Sequence, residues 1–183
     1  MDFQEVWQKA DQVYGAFSCR EANRLYDLGM TLPDNCRIVE VGCYGGKSSI
    51  VLGLIAKQKN GDLTCIDSFI TGMPDIKNVE KYFRRNMDRF KIDYTLLEKT
   101  SEQAAKSYRK KIDLVFIDGD HRYEGVELDC KLWIPKLRAG GWIVFHDYVS
   151  SWSGVKQAVD ERTDLEGGEI IESSIFKRKP AIV

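Results

Sequence analysis

Apolar side chains recur at helical spacing over residues 4–14 and again over 19–29. Ser18 precedes the second segment, with Glu21 three residues on. That is the pattern of a helix start in which two side chains cap each other's backbone. Beyond residue 36 the texture changes. RIVEVG (37–42), DLTCID (62–67), IDYTLLE (92–98), KIDLVFID (111–118) and GGWIVFHD (140–147) are short, largely continuous apolar runs. Such runs mark strands buried on both faces. Helical patterns fall between and after them at 45–59, roughly 75–90, 101–109, 123–137 and 154–162. The tail from 169 to 178 has strand character and is read as a final pair.

Strands alternating with helices predict an α/β fold, a three-layer doubly wound sheet that is mostly parallel. Ligands of such sheets bind beyond the carboxyl ends of the strands, near the topological switch. The residues following each strand therefore matter most. They are Gly42-Cys43-Tyr44-Gly45-Gly46-Lys47-Ser48, then Asp67, then Thr100-Ser101, then Asp118-Gly119-Asp120-His121, and last His146-Asp147. Glycines and polar groups thus occupy one rim of the sheet.

The glycine loop excludes two ligand classes. A phosphate-wrapping loop needs GxxxxGK[ST], but five residues before Gly46 stands Val41. A dinucleotide fingerprint needs GxGxxG, but two residues after Gly42 stands Tyr44. The pattern present is E-x-G-x-x-x-G-x-S, formed by Glu40, Gly42, Gly46 and Ser48. It resembles the first motif of class I S-adenosylmethionine-dependent methyltransferases. The chemistry suits the methionine end of that cofactor. An acid can hold its ammonium, directly or through the loop, and a helix N-terminus with a hydroxyl can hold its carboxylate. Asp67 ends the second strand 27 residues after Glu40, placed to accept both hydroxyls of a ribose.

The stretch FIDGDHRYEGVELDCKLWIPKLRAGGWIVFHD (116–147) resembles the small-molecule O-methyltransferases, among them sugar, macrolide and cephalosporin-hydroxylase-like members. The resemblance covers roughly residues 20–180. It implies a Rossmann-like sheet of seven strands, the last pair antiparallel, over 36–183, with the helices of 1–35 packed near the cofactor mouth as part of one domain. It implies a divalent metal, Mg²⁺ or Mn²⁺, on Asp118 and Asp147, with Asp118 also on the cofactor side and His121 as catalytic base. Relatives contact the adenine after strand three, where Ser101 stands as that contact, as a helix cap or as both; Tyr44 is read as lying over the cofactor or as packing on the first turn of its helix. The resemblance implies an acceptor that is a small molecule with a hydroxyl, and pairing of two copies through the N-terminal helices. Two carboxylates on adjacent strand ends can share one Mg²⁺, which lowers the pKa of a bound hydroxyl. A neutral imidazole can then take the proton. One departure stands out. Relatives carry an acid just before the strand-five aspartate or an amide just after it, and here those positions are His146 and Tyr148. A histidine ligand suits Mn²⁺, Fe²⁺ or Zn²⁺ better than Mg²⁺. His146 is therefore a third candidate ligand.

Composition narrows the partners. Lys and Arg number 27 against 28 Asp and Glu among 183 residues, so the balance that would neutralise a nucleic-acid backbone is missing. The basic stretch 81–91 reads as the solvated face of a helix, with Tyr82, Phe83 and Phe90 turned inward. No window reaches the ~18 apolar residues of a membrane helix, and the acidic start lacks a signal-peptide pattern. Five cysteines without a CxxC pair suit reduced thiols in the cytoplasm. Two other functions fit the same residues. One is a non-catalytic S-adenosylmethionine-binding regulatory or partner protein. The other is a metal-dependent hydrolase or hydroxylase using Asp118, His121, His146 and Asp147.

Overall fold

A computed structural model of the chain describes residues 1–70 and 78–181. Its seven strands are β1 (Arg37–Val41), β2 (Asp62–Asp67), β3 (Thr95–Glu98), β4 (Ile112–Ile117), β5 (Leu137–Phe145), β6 (Glu166–Ile171) and β7 (Ser174–Arg178). Its helices are α1 (Phe3–Ala10), α2 (Cys19–Met30), α3 (Lys47–Gln58), α4 (Val79–Arg89), α5 (Ser101–Ser107), α6 (Tyr123–Trp133) and α7 (Ser153–Asp160). The strand order is β3-β2-β1-β4-β5-β7-β6. All pairings are parallel except those of β7, which runs antiparallel to β5 and β6. The order reverses between β1 and β4, so the crevice beyond their carboxyl ends is the place for a ligand.

Strand alternation divides the core into two layers. Ile38, Leu114, Phe116, Val144 and Phe176 meet the helices α1–α4 on one face. Val39, Val41, Val115, Ile117 and Phe145 meet α5–α7 on the other. Hence β1 and β4 are buried on both faces, which is why their sequences read as apolar runs. Ser18 and Glu21 form the reciprocal cap expected at the start of α2.

Several boundaries differ from the sequence pattern. The first helix stops at Ala10, and residues 11–17 cross toward the sheet with Val13 and Phe17 in the core. The helix expected over 123–137 stops at Trp133. Pro135 lacks the N–H that an α-helix needs, so a single 3₁₀ turn (Ile134–Lys136) follows and β5 begins at Leu137. The helix expected from roughly 75 is described from Val79, its first residues lying outside the described ones. The basic stretch lies largely on it, with Phe83 fully buried and Arg84, Arg85 and Arg89 in solvent. Among the described residues no helix is long and apolar enough to cross a membrane.

Candidate active site

A cavity of about 690 Å³ opens at the carboxyl ends of β1, β2, β4 and β5. That volume lies in the range of small-molecule and cofactor pockets. Its walls come from the turn after β1, from Asp67, and from the residues following β4 and β5. Tyr14–Phe17, between α1 and α2, closes one side.

The β1 turn is built on positive φ angles. Gly42 has φ +83°, and a Cβ there would lie 2.0 Å from the Asp118 carbonyl oxygen. Only glycine lets the β1 and β4 turns pass this closely. Gly46 has φ +91° and precedes α3 without capping it by a side chain. The helix therefore opens its N-terminus toward the cavity without a competing side-chain acceptor. Asp67 Oδ2 accepts from the N–H groups of Cys43 (2.8 Å) and Tyr44 (3.0 Å), and Oδ1 accepts from Phe69 N–H (2.7 Å). Three of the roughly four acceptor positions of this carboxylate are thus filled, two by the glycine loop and one by the turn after β2. Asp67 and Tyr44 still line the cavity.

Glu40 does not reach the cavity. It alternates with Val39 and Val41 and so shares the face of Ile38, which packs on α3. The Ser48 and Ser49 hydroxyls each donate to it at 2.5 Å. Burial pushes its carboxyl up to about 7, against the pull of these hydroxyls. Of the two arrangements expected of Glu40, direct contact and action through the loop, this position suits only the second. Its carboxylate fixes the first turn of α3, and the Ser48 hydroxyl is spent on it. Ser101 is likewise not brought to the cavity. Its hydroxyl donates to Asp129 and accepts from Trp133 Nε1 at 2.8 Å, while Thr100 caps α5. Asp120 pairs with Arg122 and does not serve as the cap of α6.

The β4 and β5 ends carry a different arrangement. His121 Nε2 lies 3.3 Å from Asp118 Oδ1 and 3.2 Å from Asp147 Oδ2. His146 Nδ1 approaches the same two oxygens at 3.3 and 3.4 Å. His146 is only 3% exposed, flanked by Phe17 and Phe116, and its Nδ1 forms no hydrogen bond. Two imidazoles and two carboxylates therefore converge. Asp118, His121 and Asp147 each offer an atom within 4.8 Å of the others. Burial opposes the charge on Asp118, but the two histidines hold its carboxyl below the ordinary range. The hydrogen bond to Asp118, with Asp147 nearby, raises His121. Burial opposes the charge on His146, yet Asp118, Asp147 and Glu21 push it up to about 12. Asp147 itself adopts φ +56°, in the left-handed region.

Three features lie beyond the sequence reading. Glu21, expected only as a cap, stands behind His146. Lys47 donates to the Gly15 carbonyl at 3.4 Å and so ties the 14–17 segment to the glycine loop. Trp152 packs against the His121 ring with centroids 4.6 Å apart and planes tilted by 43°. Tyr148 turns its hydroxyl to Asp160 and Lys156.

A seven-stranded sheet with an antiparallel β7, a glycine turn at the switch point and carboxylates on the β4 and β5 ends define a Rossmann-like methyltransferase fold. Residues 39–148 match the methyltransferase-domain family, and the chain belongs to it. An uncharacterised protein of Acanthamoeba polyphaga mimivirus is 29% identical over 147 residues, covering 74% of this chain and 63% of that protein. The chain thus spans less than two thirds of that relative. An S-adenosylhomocysteine-bound methyltransferase of Podospora anserina superposes with a TM-score of 0.72 at 15% identity, over 98% of this chain and 88% of that one. A TDP-rhamnose 3′-O-methyltransferase of calicheamicin biosynthesis gives 0.65 at 15% identity, over 86% and 76%. An rRNA methylase from Streptococcus thermophilus gives 0.66 at 13%, over 90% and 99%. At these identities the likeness is one of fold.

Proposed function

We propose that this protein transfers a methyl group from S-adenosylmethionine to a hydroxyl of a small-molecule acceptor, assisted by a divalent cation. The observation that carries the reading is the convergence of Asp118, Asp147, His121 and an unpartnered His146 nitrogen on one wall of a cavity. The opposite wall is a glycine turn opening a helix N-terminus. The donor set fits a cation. Two carboxylate oxygens lie 3.3 and 3.4 Å from His146 Nδ1, a buried nitrogen without a hydrogen bond, and a cation held there would take over the charge balance that the imidazoles otherwise supply.

The glycine turn, Tyr44 and Asp67 would hold the cofactor, whose chemical contribution when bound is an electrophilic sulfonium methyl. Asp118, Asp147 and His146 would hold the cation. A cation held there would lower the pKa of the acceptor hydroxyl and would offset the negative charge around His121. His121 accepts the acceptor's proton through Nε2, the nitrogen turned into the cluster. Trp152 against the ring limits its motion and its contact with water. Asp67, through the N–H groups of Cys43 and Tyr44, fixes the loop against which the cofactor would lie. Much of the acceleration is positional, since holding nucleophile and methyl donor in line replaces a bimolecular encounter.

Two imidazoles with two carboxylates are also a ligand set for a metal-dependent hydrolase or hydroxylase. Calorimetric titration with S-adenosylmethionine and S-adenosylhomocysteine, with and without Mg²⁺ or Mn²⁺, separates the readings. Micromolar cofactor binding that Asp67→Ala weakens is the expected result. Metal binding with no affinity for either sulfur compound would move the hydrolase or hydroxylase reading to the front. Cofactor binding without turnover on any hydroxyl acceptor would indicate a regulatory binding protein.

A further inference from the structure

Glu21 is a buried carboxylate, 1% exposed, that its role as a helix cap does not explain. Only Oε2 serves the cap, accepting from Ser18 N–H at 3.0 Å. Oε1 leaves α2 for the turn between β6 and β7. There it accepts from Ser173 N–H (3.2 Å), Ser173 Oγ (2.6 Å) and Ser174 Oγ (2.8 Å). Among the described residues, the one side chain that pairs with it as an ion within 4 Å is His146, at 3.6 Å from Nε2.

The Ser173 hydroxyl decides the state of that histidine. A hydroxyl has one hydrogen, and here it is donated to Glu21. Toward His146 Nε2, 3.3 Å away, Ser173 therefore presents a lone pair. This contact is a hydrogen bond only when Nε2 carries the proton. In the neutral imidazole the lone pair then lies on Nδ1. That atom is buried, makes no hydrogen bond and stands between Asp118 Oδ1 and Asp147 Oδ2. Nδ1 and the two carboxylate oxygens, 3.3 and 3.4 Å from it, are the donor atoms of a ligand set with a nitrogen built into it.

We infer that Glu21 and Ser173 are positioning residues that fix the proton of His146 on Nε2, present Nδ1 as a metal ligand, and make the site select a first-row transition ion such as Mn²⁺, Co²⁺ or Zn²⁺ over Mg²⁺. The inference rests on the cation site of the proposed function and specifies its ligand atom and ion class. Mg²⁺ demands oxygen ligands in near-octahedral order and keeps its waters, whereas imidazole suits the later ions. A carboxylate behind a ligating imidazole fixes its tautomer and raises its donor strength, commonly by 10–100-fold in metal affinity.

The test uses the full chain, stripped of metal, in the absence of S-adenosylmethionine. Calorimetry with Mg²⁺, Mn²⁺ and Co²⁺ reads affinity, the visible absorption of bound Co²⁺ reads its ligands, and electron spin-echo modulation of bound Mn²⁺ reads nitrogen coordination. The expected result is that Co²⁺ and Mn²⁺ bind at least about tenfold tighter than Mg²⁺, with nitrogen modulation that persists in His121→Gln. Ser173→Ala should weaken Co²⁺ roughly tenfold or more and shift its absorption, leave Mg²⁺ affinity near its starting value, and be rescued by Ser173→Thr. Glu21→Gln should do the same where it folds, and Ser173→Ala carries the test where it does not. Equal affinities for Mg²⁺ and Mn²⁺, or a nitrogen signal lost in His121→Gln, or Co²⁺ binding indifferent to Ser173→Ala, would overturn the inference. None of these outcomes touches cofactor binding, which is read separately with S-adenosylhomocysteine. Nitrogen-ligated Co²⁺ without any affinity for S-adenosylhomocysteine would remove the methyltransferase reading and leave the ligand assignment standing.

Discussion

The wall built from β1 and β2 and the wall built from β4 and β5 both carry carboxylates at strand ends, and they use them in opposite ways. On the first wall, Asp67 and Glu40 turn to backbone amides and serine hydroxyls, so their hydrogen-bonding capacity is nearly filled from within. On the second, Asp118 and Asp147 face two imidazoles, and the buried His146 Nδ1 makes no hydrogen bond. Satisfied polar groups make a rigid cradle. Unsatisfied, converging ones store the electrostatic conditions for chemistry. The difference implies that substitutions on the two walls separate binding and stability from turnover.

The largest separation should come from the pair His121→Ala and Asp67→Ala. Loss of the imidazole removes a general base, so turnover should fall by about 10²–10⁴ while affinity for S-adenosylhomocysteine is retained. Asp67→Ala leaves two glycine-loop N–H groups and that of Phe69 without their acceptor, at about 1–3 kcal/mol for each one left buried. It should weaken cofactor affinity and lower the urea midpoint together. Single-turnover rates beside calorimetry check both. Equal loss of cofactor affinity in the two variants would abolish the distinction between the walls.

Where the walls touch, the expected effect is on folding. Gly42→Ala places a methyl 2.0 Å from the Asp118 carbonyl and strains a left-handed φ. A destabilisation above about 3 kcal/mol is expected in chemical denaturation. A stable Gly42→Ala protein would mean that the two turns are not held as closely as they stand here.

Much of this division was legible from the chain, and what was missed has physical causes. The buried parallel strands announced themselves because a strand covered on both faces must be apolar throughout. The rim residues followed from the ends of those runs. The orientation of Glu40 was also available. In a strand with period two it shares the face of Ile38, toward the helix that carries Ser48 and Ser49. The second role of Glu21 had no local signature. Its contacts to Ser173 and Ser174 span 152 and 153 positions, and they exist only once α2 packs against the β6–β7 turn. The contacts of Ser101 with Asp129 and Trp133 are similarly set by how α5 lies on α6.

The pH dependence of stability sharpens the description of the first wall. The folded pKa of Glu40, about 7, is raised above the ordinary 4.5. Its contribution is therefore fully present below pH 4.5 and is lost as pH rises toward 7, because the unfolded chain ionises first. At about 1.4 kcal/mol per unit the loss is on the order of 3 kcal/mol. Glu21 works the other way. Its folded pKa, near 2, lends stability above 4.5 that is lost as pH falls below that value. Glu40→Gln should flatten the decline between pH 5 and 8 without altering acid unfolding. Urea titrations of both proteins at the two pH values give the difference directly. Parallel curves would place the Glu40 carboxyl in a wetter setting than the one described.

The smallest effect is the most pointed test of what belongs to the cavity. Ser101 follows β3, where the family resemblance places a contact with the adenine. Its hydroxyl is committed instead to Asp129 and Trp133 Nε1, both on α6. Burial raises Asp129 to about 6, against the pull of that hydroxyl, so removing it costs the carboxyl a needed partner. Ser101→Ala should lower stability by about 1–2 kcal/mol through the orphaned carboxyl and indole. Calorimetry with S-adenosylhomocysteine should find the affinity of this variant unchanged. A tenfold loss of affinity at near-wild-type stability would restore Ser101 to the cofactor and require α5 to shift when the ligand binds. An unchanged affinity confines the cradle to the β1 turn and Asp67, and makes the β3 end a packing junction between α5 and α6.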